Sequence, residues 1–340
     1  MSRLRIAVFG GGHLGTIHAK LLAQVPSAEL VAIVEPSPAR ADELRKGFSC
    51  QVVTDVETAA NESDFDAAII ASPTSLHHGL GIDLLRRGVH CLVEKPLAST
   101  ASECRELVEV AKRRSAILQV GHVERFNPAW TTIADRMSTP RFIEATREGS
   151  LTFRSMDGGA VLDLMIHDID LVLSVVKSPI VSVQSETFNW TGDAEDIAHA
   201  WLNFANGTVA RLSASRVSCE PKRQMRIHGD DWFGEVDFAA GTCRMVNGPT
   251  RRDWQTRNYS TDERKHLMET LFESVLTKQD LSVPEANAIL DEQRDFVTSI
   301  ETGTSPIVTG YDGLIAVELA QEVIRNGRQH MPIQPYRKAG

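Results

Sequence analysis

The chain lacks any close pair of cysteines. Cys50, Cys91, Cys104, Cys219 and Cys243 are scattered, and none belongs to a C-x-x-C motif. This excludes a cysteine zinc module or a redox pair, and an odd count without a framework fits a reducing, cytoplasmic compartment. No stretch approaches the roughly 20 apolar residues of a membrane span. The long apolar region at 160–176 is interrupted by Asp163, His167, Asp168 and Asp170. No membrane partner is expected. An excess of basic charge is also missing: the formal charge is −9. That argues against general nucleic-acid binding, while leaving room for a local basic pocket. There is no repeat and no low-complexity linker. The short apolar opening runs into glycines rather than a cleavage site, so a first strand and not a signal peptide is expected.

What is present is an ordinary globular balance, 42% hydrophobic and 24% charged, in 340 residues, enough for two domains with substantial cores. Apolar runs at 4–9, 30–34, 66–71, 89–93 and 116–120 alternate with helical periodicity at 14–25, 38–46, 76–87 and 101–113. This alternation implies an α/β fold whose first domain, 1–122, is a doubly wound parallel sheet. Thr100-Ala101-Ser102-Glu103 reads as a capping box. In the second domain, 123–340, an apolar helix at 158–176 is followed by strand-like runs at 180–190, 197–204, 208–217, 223–228 and 233–238. Asn206-Gly207 reads as a hairpin turn. Helical patterns return at 262–278, 284–301 and 312–326. Strands in series predict a largely antiparallel sheet flanked by helices. The boundary near 120–128 reads as a tight junction, where ligand pockets often sit.

The turn Gly10-Gly11-Gly12-His13-Leu14-Gly15 follows the first apolar run and opens a helix, the context a dinucleotide fingerprint needs. Gly10 permits the tight turn, Gly12 lets backbone approach a pyrophosphate, and Gly15 lets helix and strand pack closely. The helix start, with His13 and Leu14, offers N–H groups to the anion. Glu35 ends the second run, 35 − 15 = 20 positions after the third glycine. A carboxylate there hydrogen-bonds ribose hydroxyls and repels a 2′-phosphate, which favours NAD over NADP; Arg40 nearby softens that preference. The loop Ser72, Pro73, Thr74 to His77 falls at the same carboxyl edge and is counted as cofactor contact. The alternative for Ser72-Pro73-Thr74 is that it only turns the chain and caps the next helix; for His77 and His78 themselves a surface or packing role is the preferred reading, with His77 kept among the candidate cofactor contacts.

Glu94-Lys95-Pro96 ends another run at that edge. The Lys95 ammonium is placed to hydrogen-bond a reacting hydroxyl and stabilise negative charge on oxygen. Pro96 is expected to fix the loop, with a cis bond available to it. The alternative is a surface lysine paired with Glu94. On the helix at 158–176, Leu162, Met165, Ile166, Ile169, Val172, Leu173 and Val176 form a wide core stripe. Asp163, His167 and Asp170 recur at i, i+4 and i+7 on a neighbouring face. A carboxylate that orients a histidine suits a general base acting on an alcohol. The same pattern is open to a metal site or to an interfacial cap and salt-bridge cluster; no metal is expected.

Together these segments resemble the Gfo/Idh/MocA oxidoreductases, named for glucose–fructose oxidoreductase and inositol dehydrogenase. The resemblance covers nearly the full length. It runs through Gly10 to Gly15, Glu35, the Ser72-to-His77 loop, Glu94-Lys95-Pro96, Gly158-Gly159 with Asp163 and His167, and Gly310-Tyr311-Asp312-Gly313. It implies a Rossmann domain, then an α/β domain whose open sheet commonly mediates oligomerisation, here a homodimer or homotetramer. It also implies NAD-dependent oxidation of a sugar or cyclitol hydroxyl. Lys95, Asp163 and His167 match the family's catalytic positions, with His167 as acid/base, Asp163 its partner and Lys95 polarising the oxygen.

Gly121-His122-Val123-Glu124-Arg125-Phe126-Asn127-Pro128, the 163–170 segment and Ser215-Arg216-Val217-Ser218 resemble the subgroup of UDP-N-acetylglucosamine 3-dehydrogenases. Such enzymes make a 3-keto sugar nucleotide that an aminotransferase converts to a 3-amino sugar, a route to amide-linked lipid A. On this reading Arg125 and Asn127 contact substrate. Arg216, Lys222, Arg223 and Arg226 form a basic region in an acidic protein, with Arg216 and Lys222 the better candidates for a diphosphate. The alternative for them is a solvated strand face. The competing functions are a free-sugar or inositol dehydrogenase and, from another class, a non-catalytic dinucleotide-binding regulator.

Overall fold

The computed structural model describes residues 3–55, 64–151, 158–249 and 259–327. By internal packing the chain forms two compact units. One comprises Met1–Phe126 and Ala286–Glu318; the other comprises Asn127–Glu285 and Leu319–Gly340. The expected boundary at 122 is close, but assigning everything beyond it to the second domain is corrected here. Residues 286–318 return to the first unit because Leu290, Phe296 and Val297 join its core, alongside Ile6, Val8, Ile33, Ile69 and Leu92.

The first unit holds a parallel sheet of β1 (Leu4–Phe9), β2 (Ala28–Val34), β3 (Gln51–Val53), β4 (Ala67–Ile70), β5 (His90–Glu94) and β6 (Leu118–Gly121). Their order is β3-β2-β1-β4-β5-β6, so the direction of winding reverses between β1 and β4. In doubly wound sheets ligands bind at the carboxyl ends of strands beside such a reversal. The central strands are apolar on both faces, as a covered parallel sheet requires: Ile6 to Val8, Ala67 to Ile70 and Cys91 to Val93 are all fully buried. Helices α1 (His13–Leu22), α2 (Pro38–Gly47), α3 (Thr74–Arg86) and α4 (Ala101–Arg114) separate the strands. The Thr100 capping box forms in full, its hydroxyl accepting from Glu103 N–H and the Glu103 side chain from Thr100 N–H.

After a 3₁₀ turn, Val123–Phe126, the second unit opens with α5 (Pro128–Ala134). Its eight-stranded sheet runs β14-β13-β12-β11-β7-β10-β9-β8. The ranges are β7 (Phe142–Glu148), β8 (Ile180–Phe188), β9 (Ile197–Phe204), β10 (Val209–Ser215), β11 (Lys222–His228), β12 (Trp232–Asp237), β13 (Thr242–Asn247) and β14 (Thr277–Leu281). Every pairing is antiparallel except β7 with β10. The Asn206-Gly207 hairpin joins β9 to β10, with Gly207 at φ +86°.

The helix expected at 158–176 is a π turn, Val161–Met165, continuing into α6 (Ile166–Val175). The helix expected at 262–278 ends earlier. It comprises α7 (Thr261–Thr270) and a π turn, Leu271–Val275, before the chain enters β14. Helices α8 (Ala288–Thr302) and α9 (Gly310–Gly327) follow. Among the described residues, no helix is long and apolar enough to cross a membrane.

Candidate active site

In the first unit the glycine turn is built as a close fit. Gly10 has φ +102°, and a Cβ there meets Ala71 O at 2.6 Å; a Cβ on Gly15 meets Gly10 O at 1.8 Å. Gly12 differs: a Cβ there meets no protein atom within 4 Å. Its missing side chain leaves space outside the protein, at the N-cap of α1, where no side chain caps the helix. His13 and Leu14 follow, both exposed. Open backbone at an uncapped helix start fits an anionic pyrophosphate.

Glu35 braces this turn. Oε2 accepts from Gly11 N–H at 2.9 Å and Oε1 from Ser37 N–H at 2.9 Å. An ionised carboxylate has about four acceptor sites, so both oxygens keep capacity for ribose hydroxyls. Arg40 is committed to the protein. It donates to Gly11 O and to Thr16 Oγ1, each at 2.9 Å, and pairs with Glu43 at 2.6 Å. These contacts make Arg40 a clamp on the turn that carries the expected pyrophosphate site.

The loop after β4 begins with half-buried Ser72 and exposed Pro73, and α3 starts at Thr74 without a side-chain cap. The simple capping alternative for Ser72-Pro73-Thr74 is therefore not what forms. His77 is buried, with Nδ1 at 2.9 Å from Pro96 O and Nε2 at 2.8 Å from Ser72 O. It ties the loop after β4 to the loop after β5, in keeping with the packing reading of this histidine. Burial pushes its pKa down, against the two carbonyl contacts and the Glu94 charge.

Glu94 also turns inward. Oε1 meets His18 Nε2 at 2.8 Å and Oε2 accepts from Lys95 N–H at 3.2 Å, which supports the Lys95 backbone. Burial raises the Glu94 carboxyl, but the His18 hydrogen bond, the Lys95 charge and the Lys95 N–H more than reverse this, leaving it below its ordinary value. Lys95 is half-buried and its peptide to Pro96 is cis.

In the second unit Asp163 stands on the π turn and is half-buried, as is His167 one residue into α6; Asp170 is buried. The expected stripe assumed a regular α-helix. The π turn widens the first step, so the 3.6-residue phase holds from His167 to Asp170 but is altered between Asp163 and His167. Single π turns of this kind are frequent at functional sites.

The start of this segment is held by groups the sequence did not reveal. Glu195, buried, accepts from Val161 N–H at 3.2 Å, and its own carbonyl accepts from Ala160 N–H at 2.7 Å. A Cβ on Gly159 falls 1.9 Å from Glu195 Oε1, which is why glycine stands there. Arg216 is 6% exposed; it donates to the Gly158 carbonyl and, at 2.6 Å, to Asp196 Oδ1. Arg216 is thus a clamp on the loop that opens the helix, with its guanidinium engaged by protein groups. Burial raises the Asp196 carboxyl, but N–H groups of Thr191 and Trp190 and the Arg216 guanidinium hold it well below the usual range.

A second buried pair, Arg147 NH2 to Asp168 Oδ1 at 2.9 Å, joins β7 to α6, with the guanidinium 5.5 Å above the Phe238 ring. Asp168 interrupts the apolar run, and that interruption was its only sequence signal.

The other expected substrate contacts are largely spoken for. Asn127 caps α5, its Oδ1 accepting from Ala129 N–H at 3.0 Å. Arg125, on the 3₁₀ turn, is mostly buried and lies 3.9 Å from Asp312. Lys222 is exposed at the start of β11. Arg226 pairs with Glu235 at 3.0 Å in a charge row across the sheet that continues through Arg244 to Asp280.

Residues 4–122 match the oxidoreductase family with an NAD-binding Rossmann fold, and residues 132–232 match the GFO/IDH/MocA C-terminal domain. The UDP-N-acetylglucosamine 3-dehydrogenase of Acidithiobacillus ferrooxidans is 36% identical over 248 residues, covering 73% of this chain and 78% of that protein. The chain belongs to the Gfo/Idh/MocA oxidoreductase family. Its first unit contains the family's NAD-binding domain. The scyllo-inositol 2-dehydrogenase (NAD(+)) of Bacillus subtilis is 27% identical over 350 residues, covering 98% of this chain and 96% of that protein. A solved structure of the Acidithiobacillus ferrooxidans enzyme matches with a TM-score of 0.82 at 30% identity, covering 96% of this chain and 98% of the other.

Proposed function

We propose that this protein is an NAD-dependent dehydrogenase that oxidises the 3-hydroxyl of UDP-N-acetylglucosamine to the 3-keto sugar nucleotide. The observation that carries this reading is the 36% identity to the Acidithiobacillus ferrooxidans enzyme over 73% of the chain. The reading is also supported by the presence of Lys95, Asp163 and His167, the residues that match the family's catalytic motif in the sequence.

NAD, when bound, supplies a nicotinamide ring that accepts a hydride. The start of α1 at Gly12, His13 and Leu14 holds its pyrophosphate, and Glu35 holds the adenosine ribose. His167 takes the hydroxyl proton as general base, and Asp163 orients its imidazole. Lys95 donates a hydrogen bond to the reacting oxygen and stabilises the charge left on it. Lys222, exposed at the start of β11, is a candidate for the diphosphate. Binding of the remote nucleotide helps keep the sugar ring in reacting geometry.

The second reading is an inositol dehydrogenase with the same chemistry and no nucleotide subsite, supported by the 27% identity over 98% of the chain. A panel of UDP-N-acetylglucosamine, free N-acetylglucosamine and inositols, followed by NADH absorbance, separates the two. Oxidation of the nucleotide sugar with poor turnover of the free sugar supports the first reading. Equal efficiency on both removes the nucleotide from the mechanism, and turnover of inositol alone selects the second.

A further inference from the structure

The first unit buries a carboxylate that this chemistry does not use. Glu292, on α8, is 0% exposed, and neither of its oxygens has a hydrogen-bond partner among the described residues. One carboxylate oxygen, a Glu94 oxygen and a His18 ring nitrogen all lie within 4.8 Å of one another. Three sequence-distant residues, from α1, β5 and α8, thus converge at one buried point.

The neighbouring Gln293 fixes the protons there. Its Nε2 lies 3.0 Å from His18 O and 3.0 Å from His18 Nδ1. A backbone carbonyl only accepts, so the amide nitrogen must face it. The same nitrogen then donates to Nδ1, which leaves the ring proton on Nε2, where it is donated to Glu94 at 2.8 Å. A metal on Nε2 would move that proton to Nδ1, against the Gln293 N–H. Flipping the amide instead sets its oxygen against the His18 carbonyl. The site is therefore arranged for protons and not for a cation.

Glu94 is the charged acceptor of this set. A second charged carboxylate so close, buried and without a donor, is disfavoured by desolvation and by like charge. The groups that act on Glu292 are His18 on α1, Glu94 at the end of β5, and Asp295 on α8 itself. The 3₁₀ turn packed on α8 carries Glu124 and Arg125, and Arg125 faces Asp312.

We propose that Glu292 stays a neutral acid in the folded protein and is a positioning residue for Lys95. Keeping a second charge away leaves Glu94 free to hold His18 with one oxygen and Lys95 N–H with the other. Burial and the charges of Glu94 and Asp295 push the Glu292 carboxyl well above its usual range, in the same sense. The catalytic consequence rests on the role proposed for Lys95; the protonation does not.

The test is thermal denaturation of the full chain and of Glu292→Gln and Glu292→Leu from about pH 5 to about pH 9, with and without EDTA, the range lying above the ordinary carboxylate pKa. A raised carboxyl pKa means the folded state holds more protons than the unfolded state, so wild-type stability falls as pH rises above that ordinary value. The variants carry no titrating group and escape this loss. Glu292→Gln should therefore gain on wild type by a few degrees across the range, EDTA should change nothing, and Glu292→Leu should show the same flattened slope. A pH-independent gap, failure of both variants to fold, or loss of wild-type stability in EDTA would overturn the proposal, the last in favour of a bound cation. In turnover, the alkaline limb of kcat should move to higher pH in Glu292→Gln with KM for NAD unchanged. An unmoved limb in a protein that passes the denaturation test removes the positioning role. If no sugar is turned over, Proposed function fails and denaturation still decides the protonation.

Discussion

Arg216 carries a charge whose surroundings differ from what its position in the sequence suggests. Arg216 stands in a basic stretch of an acidic chain, yet its guanidinium is buried on Asp196 and the Gly158 carbonyl. Removing one partner of a buried pair costs about 3–5 kcal/mol, because the other charge is left uncompensated. Arg216→Ala is expected to lower the melting temperature strongly and to depress activity on every substrate alike. A selective loss on the nucleotide sugar, in a stable variant, would restore a substrate role.

The partner gives a pH signature. With its folded pKa held low, Asp196 contributes stability above its unfolded value near pH 4 that is lost as pH falls through the folded value. Asp196→Asn should therefore be less stable than wild type at neutral pH, with the gap closing in acid; denaturation at several pH values reads it.

Glu35 keeps acceptor capacity while bracing the turn. Better kcat/KM with NAD than with NADP is expected, narrowing in Glu35→Ser; a wild-type preference for NADP contradicts the assignment. Lys95→Ala and His167→Ala should lower kcat by about 10²–10⁴-fold, the usual loss for a positioned acid/base, with NAD affinity nearly unchanged. Near-normal turnover in either variant removes its role.

At the scale of elements, the N-terminal alternation was legible because each strand of a covered parallel sheet is an uninterrupted apolar run. Ile6 to Phe9, Ala67 to Ile70 and Cys91 to Val93 say so directly. β7 and β13 were not legible. Phe142–Glu148 and Thr242–Asn247 mix charged and apolar residues, β7 even burying Arg147 against Asp168, and β3 has only three residues. β14 reads Thr-Lys-Gln-Asp-Leu, and only Leu281 is buried, so the helix expected at 262–278 ran on into its start. The π turn at Val161–Met165 leaves no mark in composition. What the sequence does carry is Gly158-Gly159, whose reason is the approach of Glu195. Gly159→Ala must push the Glu195 carboxylate off the Val161 N–H, at a cost of about 1–3 kcal/mol for a buried donor left unsatisfied. A lower melting temperature together with a lower kcat is expected, since the same segment carries Asp163 and His167. A stable variant with normal kcat would show that the segment tolerates a different entry.

For the whole molecule, the residues expected to contact the nucleotide were read from spacing: glycines, Glu35 and Lys95 fall at strand ends of one parallel sheet. Lys95 belongs to the first unit, and Asp163 and His167 to the second. The return of residues 286–318 was hidden, since α8 is an amphipathic helix whose sequence does not say which core it joins. Buried Glu292 and Gln293 on that helix look like a solvated face in the sequence. Retention of Lys95, Asp163 and His167 together argues against a non-catalytic regulator, which needs none of them. The central claim is hydride transfer from carbon 3 of a sugar nucleotide to NAD. Its most direct measurement is the mass of the reduced cofactor after turnover of UDP-N-acetylglucosamine deuterated at that carbon. Deuterium in the NADH is the expected result; NADH formed without deuterium, or no NADH at all, would contradict it.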